Sequence, residues 1–494
     1  MTENQEKSTQ PQSFLRDIFT KAGECSGIDA ALRASFGADA ELMIEFARAI
    51  SARAGHSIFC DQLWSEDHDP DAWKELLKSI SNRPKEYAAF YSSRARALKA
   101  DPATTAVIEP MIPVLTKEGN LTAGRQIMLI AGKSREPVAA ALVPAGRNIV
   151  ENREKAFAEL GDLANLVEAS TPLVSEGYLL STKDILDHMV APRPLAYNLE
   201  DREAQPFQTF VENTPDLETG GEPVQPPFVG RVHTVEGMPG VPAAAGTAAR
   251  TRILFNPEIF RRELEEQRVQ ILDVKAKLGG GNRALTPPEQ RIMKEMLVRE
   301  EKKAAGGKKT VKWRIDEEKL RRSAVRQASR FFVMNTDVPT EDVMELSLEA
   351  SRALEFYFPD MANSEEYVVN SLLEGYDREE TYSGRAFLQF AALAYYRWIL
   401  ARFEDIVSRM EARGTSEQSP AETYLVAWLQ NECLFHDGQL FHWLEQRAAH
   451  PESEVREFLT RMSRENPLAA PETTFERDAL FLRLFNEACE AAAG

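Results

Sequence analysis

The stretch Gly384-Arg385-Ala386-Phe387-Leu388-Gln389-Phe390-Ala391-Ala392-Leu393-Ala394-Tyr395-Tyr396 is apolar nearly all round. A helix of that kind has no face to give to water, so it must lie inside a large core. Upstream, Phe331-Phe332-Val333-Met334 is a short apolar run stopped by Asn335-Thr336-Asp337 and Pro339, and it reads as a strand. Thr340 is a good N-cap, followed by acids in the first turn, Glu341 and Asp342. Val343, Leu346, Ala350, Leu354 and Tyr357 recur three or four apart, so one face of that helix is apolar. Glu355 sits beside the stripe near the helix end. A strand, a helix bearing a carboxylate and a buried helix make one half of a core; the other half must come from elsewhere in the chain.

The first hundred residues read as helices. Ile28 to Ala54, Asp71 to Ile80 and a helix led by Pro84 and running to Ala100 carry apolar residues at helical spacing. From Thr104 the period changes. Thr104 to Ile108, continued by Ile112 to Leu115, then Gln126 to Ala131 and Val138 to Val143, read as three strands joined by turns at Lys117–Asn120 and Lys133–Glu136. Pro110 and Pro113 cannot donate ladder hydrogen bonds, which suggests an edge or a bulge there. Asn148, with Glu151 three residues on, caps a helix. Leu166-Val167 or Pro172-Leu173-Val174 gives a fourth strand, Ser181 caps another helix, and Leu195-Ala196-Tyr197 makes a fifth strand. Strands and helices mixed in this order point to an α/β layer architecture.

Residues 206–246 are crowded with proline and glycine. Two β pieces, Arg231 to Val235 and Thr251 to Phe255, lie in or just after them. A helix follows from Pro257 to Leu278, then a break at Gly279-Gly280-Gly281, a helix from Thr286 to Lys303 and a mobile loop at 304–309. The expected organisation is a helical region 1–100, the first half of a core at 101–200, one insertion at 201–330, the second half of the core at 331–410 and a helical region at 411–494.

Charge is distributed unevenly. The chain has 494 residues and a net charge of −18, which argues against indiscriminate coating of nucleic acid. Yet residues 250–330 hold 22 Lys and Arg against 12 acids, whereas 331–494 hold 13 Arg, no Lys and 30 acids. Arg261, Arg262, Arg268 and Lys275 fall on one expected helix, and Lys302, Lys303, Lys308, Lys309, Lys312 and Arg314 follow. The interleaved acids suggest a solvated, ion-paired face. The functional alternative is an arm contacting DNA phosphates, and a third reading pairs this segment with the acidic C-terminal region within a dimer.

Other chemistry is thin. The four cysteines, Cys25, Cys60, Cys433 and Cys489, form no Cys-x-x-Cys pair and fit a reducing cytoplasm. His56 and His68 read as structural or solvated. Glu432 to Asp437 with His442 could be imagined as a metal site, but Asp437-Gly438 is a turn signal between helices. No phosphate-cradling glycine loop appears. No apolar run approaches the ~20 residues of a membrane span, and the polar N-terminus lacks a signal-peptide layout.

Three segments carry a resemblance. Arg125 to Ile130 with Glu136-Pro137 to Val143 and the Pro144–Asn148 turn form the first. Val174-Ser175-Glu176-Gly177-Tyr178 followed by Ser181 is the second. Phe331 to Thr336, the Glu355 helix and Gly384 to Leu393 make the third. Together they resemble the large insertion-sequence transposases, whose RNase H-like core is split by an insertion and whose three acids bind two metal ions. By this resemblance the catalytic positions are Glu109, Ser175 and Glu355, with Glu109 and Glu355 as Mg²⁺ ligands. It implies metal-dependent strand transfer at the ends of double-stranded DNA, a homodimer, and a cytoplasmic or nucleoid location. The family has Asp at the first two positions. A Ser at 175 supplies no charge, and Glu109 is one methylene longer than Asp. The family's Tyr, Arg and Lys around its last acid fall at Leu348, Ser351 and Ala362. The expectation is therefore a transposase-like protein with a degraded active site; the alternative is a catalytically inactive DNA-binding or protein-interaction module on the same scaffold.

Overall fold

The computed structural model describes residues 13–52, 70–115, 121–132, 134–144, 148–176, 193–199, 217–224, 229–236, 249–279, 285–303, 309–335, 337–357, 379–412, 419–428 and 483–491, with a few isolated positions besides. The chain divides into two units. One combines residues 1–171 with 349–494, and the other is 172–348. The boundaries differ from the five segments expected above, because helices early and late in the chain pack into one unit.

In the first unit the helices are α1 (Ser13–Ser26), α2 (Ile28–Phe36), α3 (Ala40–Ala52), α4 (Pro70–Ile80) and α5 (Pro84–Ala97). The helix expected from Ile28 to Ala54 is broken at Gly37, where φ is +57°, a region that glycine enters without steric cost. Strands β1 (Ala106–Glu109), β2 (Met111–Leu115), β3 (Leu121–Ala131) and β4 (Glu136–Val143) follow, then α6 (Ile149–Glu159). β1 and β2 both pair antiparallel with β3 in one unbroken register, Ala106 opposite Ile130 and Leu115 opposite Leu121. Pro110 therefore causes no bulge: it lacks only a donor, and its carbonyl still accepts from the Gln126 N–H at 3.2 Å. The irregularity lies instead between β3 and β4, at Leu129/Ile130. Asn148 caps α6 as expected, its Oδ1 accepting from the Glu151 N–H at 3.1 Å.

In the second unit β5 (Leu173–Glu176) runs parallel to β6 (Leu195–Leu199), so of the two expected positions for a fourth strand the chain uses the later. The helix expected at Ser181 lies outside the described residues. Strand β7 (Glu222–Pro223), β8 (Arg231–Glu236) and β9 (Arg250–Phe255) come next, then α7 (Pro257–Gly279) and α8 (Pro287–Met296). After α8 the chain forms a ribbon, β10 (Leu297–Lys303) against β11 (Lys309–Ile315), and continues into α9 (Glu317–Gln327), β12 (Ser329–Met334) and α10 (Thr340–Tyr357). The expected helix from Thr286 to Lys303 thus stops at Met296. Beyond it, seven cross-strand partners from Leu297↔Ile315 to Lys303↔Lys309 give the backbone a ladder instead. Within this unit the large-sheet order is β5-β6-β12-β9-β8-β7.

The expected single insertion is two structures. Its early part adds β7, β8 and β9 to the sheet, β9 pairing antiparallel with β12. Its later part, 257–327, builds a small module with a core of its own, Ile271, Val274, Leu297 and Leu320, flanked by Trp313 and Ile315.

The first unit resumes with the second half of α10, then α11 (Glu379–Glu411), α12 (Pro420–Trp428) and a helical stretch at 483–491. α11 is the all-round apolar helix, and Phe387, Leu388, Phe390 and Tyr395 are each at most 2% exposed. It packs on α3, α4 and β4. Gly384 makes this possible. A Cβ there would lie 2.7 Å from the Leu77 carbonyl oxygen, and the Gly384 N–H donates to Ser81 Oγ at 2.9 Å.

Several polar side chains buried with α11 meet partners of opposite charge or hydrogen-bonding sense. Tyr395 donates to Asp29, which also receives Arg48. Glu136, 1% exposed, takes Arg94 at 3.0 Å and Arg402 at 3.2 Å. Arg397, 2% exposed, meets Glu349 at 3.1 Å. Burial pushes the Tyr395 phenol well above its usual range, with the Asp29 charge adding to it, and burial does the same at Tyr91. A phenol whose pKa is raised in the folded state stabilises fully below the unfolded value of about 10, and that stability drains away as pH rises past it. Urea midpoints should accordingly fall above about pH 10, and Tyr395→Phe should flatten the fall. An unchanged slope in that variant would mean Tyr395 ionises freely in the folded protein.

Cys25 and Cys489 are free thiols. Burial, with Cys25 alongside, pushes Cys489 up to about 12. No described helix is long and apolar enough to cross a membrane.

Candidate functional site

Glu109 ends β1, immediately before Pro110. It is completely buried, at 0% exposure. Arg153 of α6 forks onto it: Nε donates to Oε1 at 2.7 Å and an Nη to Oε2 at 2.5 Å. Arg125 of β3 adds a third donor to Oε2 at 3.3 Å. The local sequence explains the arrangement. In the β1–β3 register Arg125 lies diagonal to Glu109, within reach of a long side chain. The Asn148 cap fixes the start of α6, and Asn152, Arg153, Ala156 and Phe157 form its buried face.

Bidentate Arg–carboxylate pairing is among the strongest of charge-assisted hydrogen bonds. An ionised carboxylate has about four acceptor positions, and three donors from two guanidinium groups meet this one. Both groups are cations, so a divalent ion approaching Glu109 would meet like charge and would have to displace a buried fork.

Ser175 lies on β5, fully buried, opposite Tyr197 of β6. Glu355 lies in the last turn of α10, and its side chain falls outside the described residues. Glu109 and Glu355 belong to the first unit and Ser175 to the second. Of the positions where the resembled family carries Tyr, Arg and Lys, Leu348 is 48% exposed, Ser351 is half-buried, and Ala362 lies outside the described residues. Among the described residues no group of three or more His, Cys, Asp and Glu is arranged to hold a metal ion. The donor set around Glu109 does not fit a two-metal centre, which needs free carboxylate oxygens on ions ~3.5–4 Å apart. Cys433, His436 and His442 also lie outside the described residues.

The residues that reading the sequence missed are Arg153 and the pairing role of Arg125. A signal existed: an arginine inside the apolar face of a capped helix needs a buried anion, which Glu109 supplies.

The basic candidates gather on the 257–327 module. Arg261 and Arg262 are exposed on α7. Arg268 bonds Glu317 at 2.6 Å, and Arg314 bonds Glu300 across the ribbon at 3.0 Å. Lys275 is half-buried and Lys312 exposed. Lys302, Lys303 and Lys309 stand at the loop end of the ribbon, and Lys308 falls in the loop outside the described residues. Lys277 beside Glu289 holds that carboxyl below its usual range. Part of the basic segment is thus an ion-paired face, and its lysine density is greatest at the ribbon end.

Compared with known proteins, the chain matches no family model and no curated sequence.

Proposed function

We propose that this protein is a DNA-binding relative of the insertion-sequence transposases whose catalytic pocket has become a structural ion cluster. The scaffold reading rests on chain order. Four strands joined antiparallel (β1 and β2 in one line along β3, then β4), a capped helix and two parallel strands come before residues 201–330, and a further strand and the Glu355 helix follow them. That is the sequence of elements of a split RNase H-like core. The observation that carries the functional reading is the fork of Arg153 on Glu109. It spends the first catalytic acid on holding α6 to the strands, and Ser175 brings no charge to the second position. In this reading Mg²⁺ has no catalytic role, and the protein's work is recognition of double-stranded DNA. The β10–β11 ribbon is the contacting arm, since a two-stranded ribbon is a shape the major groove admits.

Duplex DNA incubated with the protein and Mg²⁺ or Mn²⁺ should be neither nicked nor joined. Binding should weaken as salt rises, log K falling with log salt by about 0.9 per phosphate contact. Replacing Lys302, Lys303, Lys308 and Lys309 with Gln should lower that slope by roughly 2–4. Metal-dependent cleavage lost on Glu109→Gln would overturn the silent-pocket reading. Salt-independent binding, or none, would remove DNA as the partner.

A further inference from the structure

The outward face of α7 carries exposed apolar side chains. Its inward face, including Ile271, Val274 and Leu278, packs on the module's core. On the opposite face Val269 and Leu272 are 55% and 46% exposed, two of the most exposed large apolar side chains among the described residues. They belong to a regular series. Arg262, Glu265, Val269, Leu272, Ala276 and Gly279 are spaced 3, 4, 3, 4 and 3 apart, the a/d spacing of a heptad repeat. Val269 falls at a and Leu272 at d, the combination that favours two parallel strands.

The flanking charges select the occupant and its direction. Arg261 and Arg268 occupy g, and Glu266 and Asp273 occupy e. In a parallel pair of identical helices each g residue faces the e residue five positions on in the partner, which matches Arg261 with Glu266 and Arg268 with Asp273. An antiparallel pair would set the basic column against itself and the acidic column against itself. Arg268 gives one Nη to Glu317 of its own chain and retains other N–H donors for a second acid.

We infer that α7 pairs in parallel with α7 of a second copy of this chain, forming an isologous two-helix seam centred on Val269 and Leu272. The seam has few apolar layers, and at its start Arg262 meets Arg262 and Glu265 meets Glu265 of the second copy, like-charge contacts that lower its affinity. The dimer is therefore weak, with a dissociation constant in the micromolar range or above, and it loosens with salt. This inference stands apart from DNA binding, because it rests on the outward face of α7 alone.

Sedimentation equilibrium of the full chain over a concentration series, without DNA, tests it. A monomer–dimer equilibrium is expected, with dissociation at least tenfold easier in Leu272→Glu and an unchanged thermal midpoint, since Leu272 lies outside the core. In Val269→Cys, mild oxidation should give a crosslinked dimer beyond the background of the unsubstituted chain, because like a positions meet in a parallel pair. A monomer at every concentration, a dimer indifferent to Leu272→Glu, or a dimer with no crosslink through position 269 would each overturn the seam.

Discussion

Arg153→Met should destabilise the first unit by about 3–5 kcal/mol, the usual result of stripping one partner from a buried ion pair. Glu109 would remain at the end of β1 with its bidentate partner gone, the Arg125 contact being longer. Adding Glu109→Gln should restore much of the loss, because the group left behind is then neutral. Urea unfolding monitored by amide exchange on β1, β3 and α6 would locate the effect. A loss below about 1 kcal/mol would mean that water reaches Glu109, leaving the acid accessible to a metal ion. The experiment therefore bears on the proposed function as directly as a cleavage assay does, and it needs no DNA substrate.

Phe387→Ala should produce the second large effect, about 3–5 kcal/mol. Phe387 is 2% exposed. Its ring lies 4.5 Å from Tyr87, 5.0 Å from Phe36, 5.2 Å from Phe90 and 5.8 Å from Tyr91, centroid to centroid. These rings come from α2, α5 and α11, so one side chain holds the early helices to the late one. Phe387→Leu should cost less, since it leaves a smaller cavity. Differential scanning calorimetry is the check. If the transition temperature hardly moves, or the N-terminal helices melt in a separate transition in the unsubstituted protein, the shared core described for the first unit is wrong.

Much of the fold could be read from residues alone because local physics decides it. The strand at 329–334, the helix starting at Thr340, the buried helix through Phe387 and the capped helix after Asn148 all follow from periodicity and capping. The ribbon was missed because Leu297 to Lys303 is mostly charged residues with good helix propensity. Its strand state comes from pairing with Lys309–Ile315 and from Leu297 joining the module core, neither of which a local window contains. The candidate site was less legible. The resemblance directs attention to Glu109, but the meaning of that acid depends on Arg125 and Arg153, 16 and 44 residues away. A buried carboxylate that binds a cation and one that binds a guanidinium look alike in sequence until the partner is known. The joining of both ends of the chain to one core was also hidden, because aromatic contacts between residues 36 and 387 leave no periodic trace.

Ser329 stands opposite Phe255 in the β9–β12 ladder, and the Asn256 N–H donates to the Ala328 carbonyl at 2.9 Å. Everything from Pro257 to Gln327 consequently departs from and returns to a single point on the sheet. In topological terms it is a cassette plugged into a β-hairpin, which a tight turn could replace without breaking a ladder pair of β9 and β12. Lysine arm and outward helix travel together on that cassette, so they can be gained, lost or rebuilt while the strands beneath keep their register.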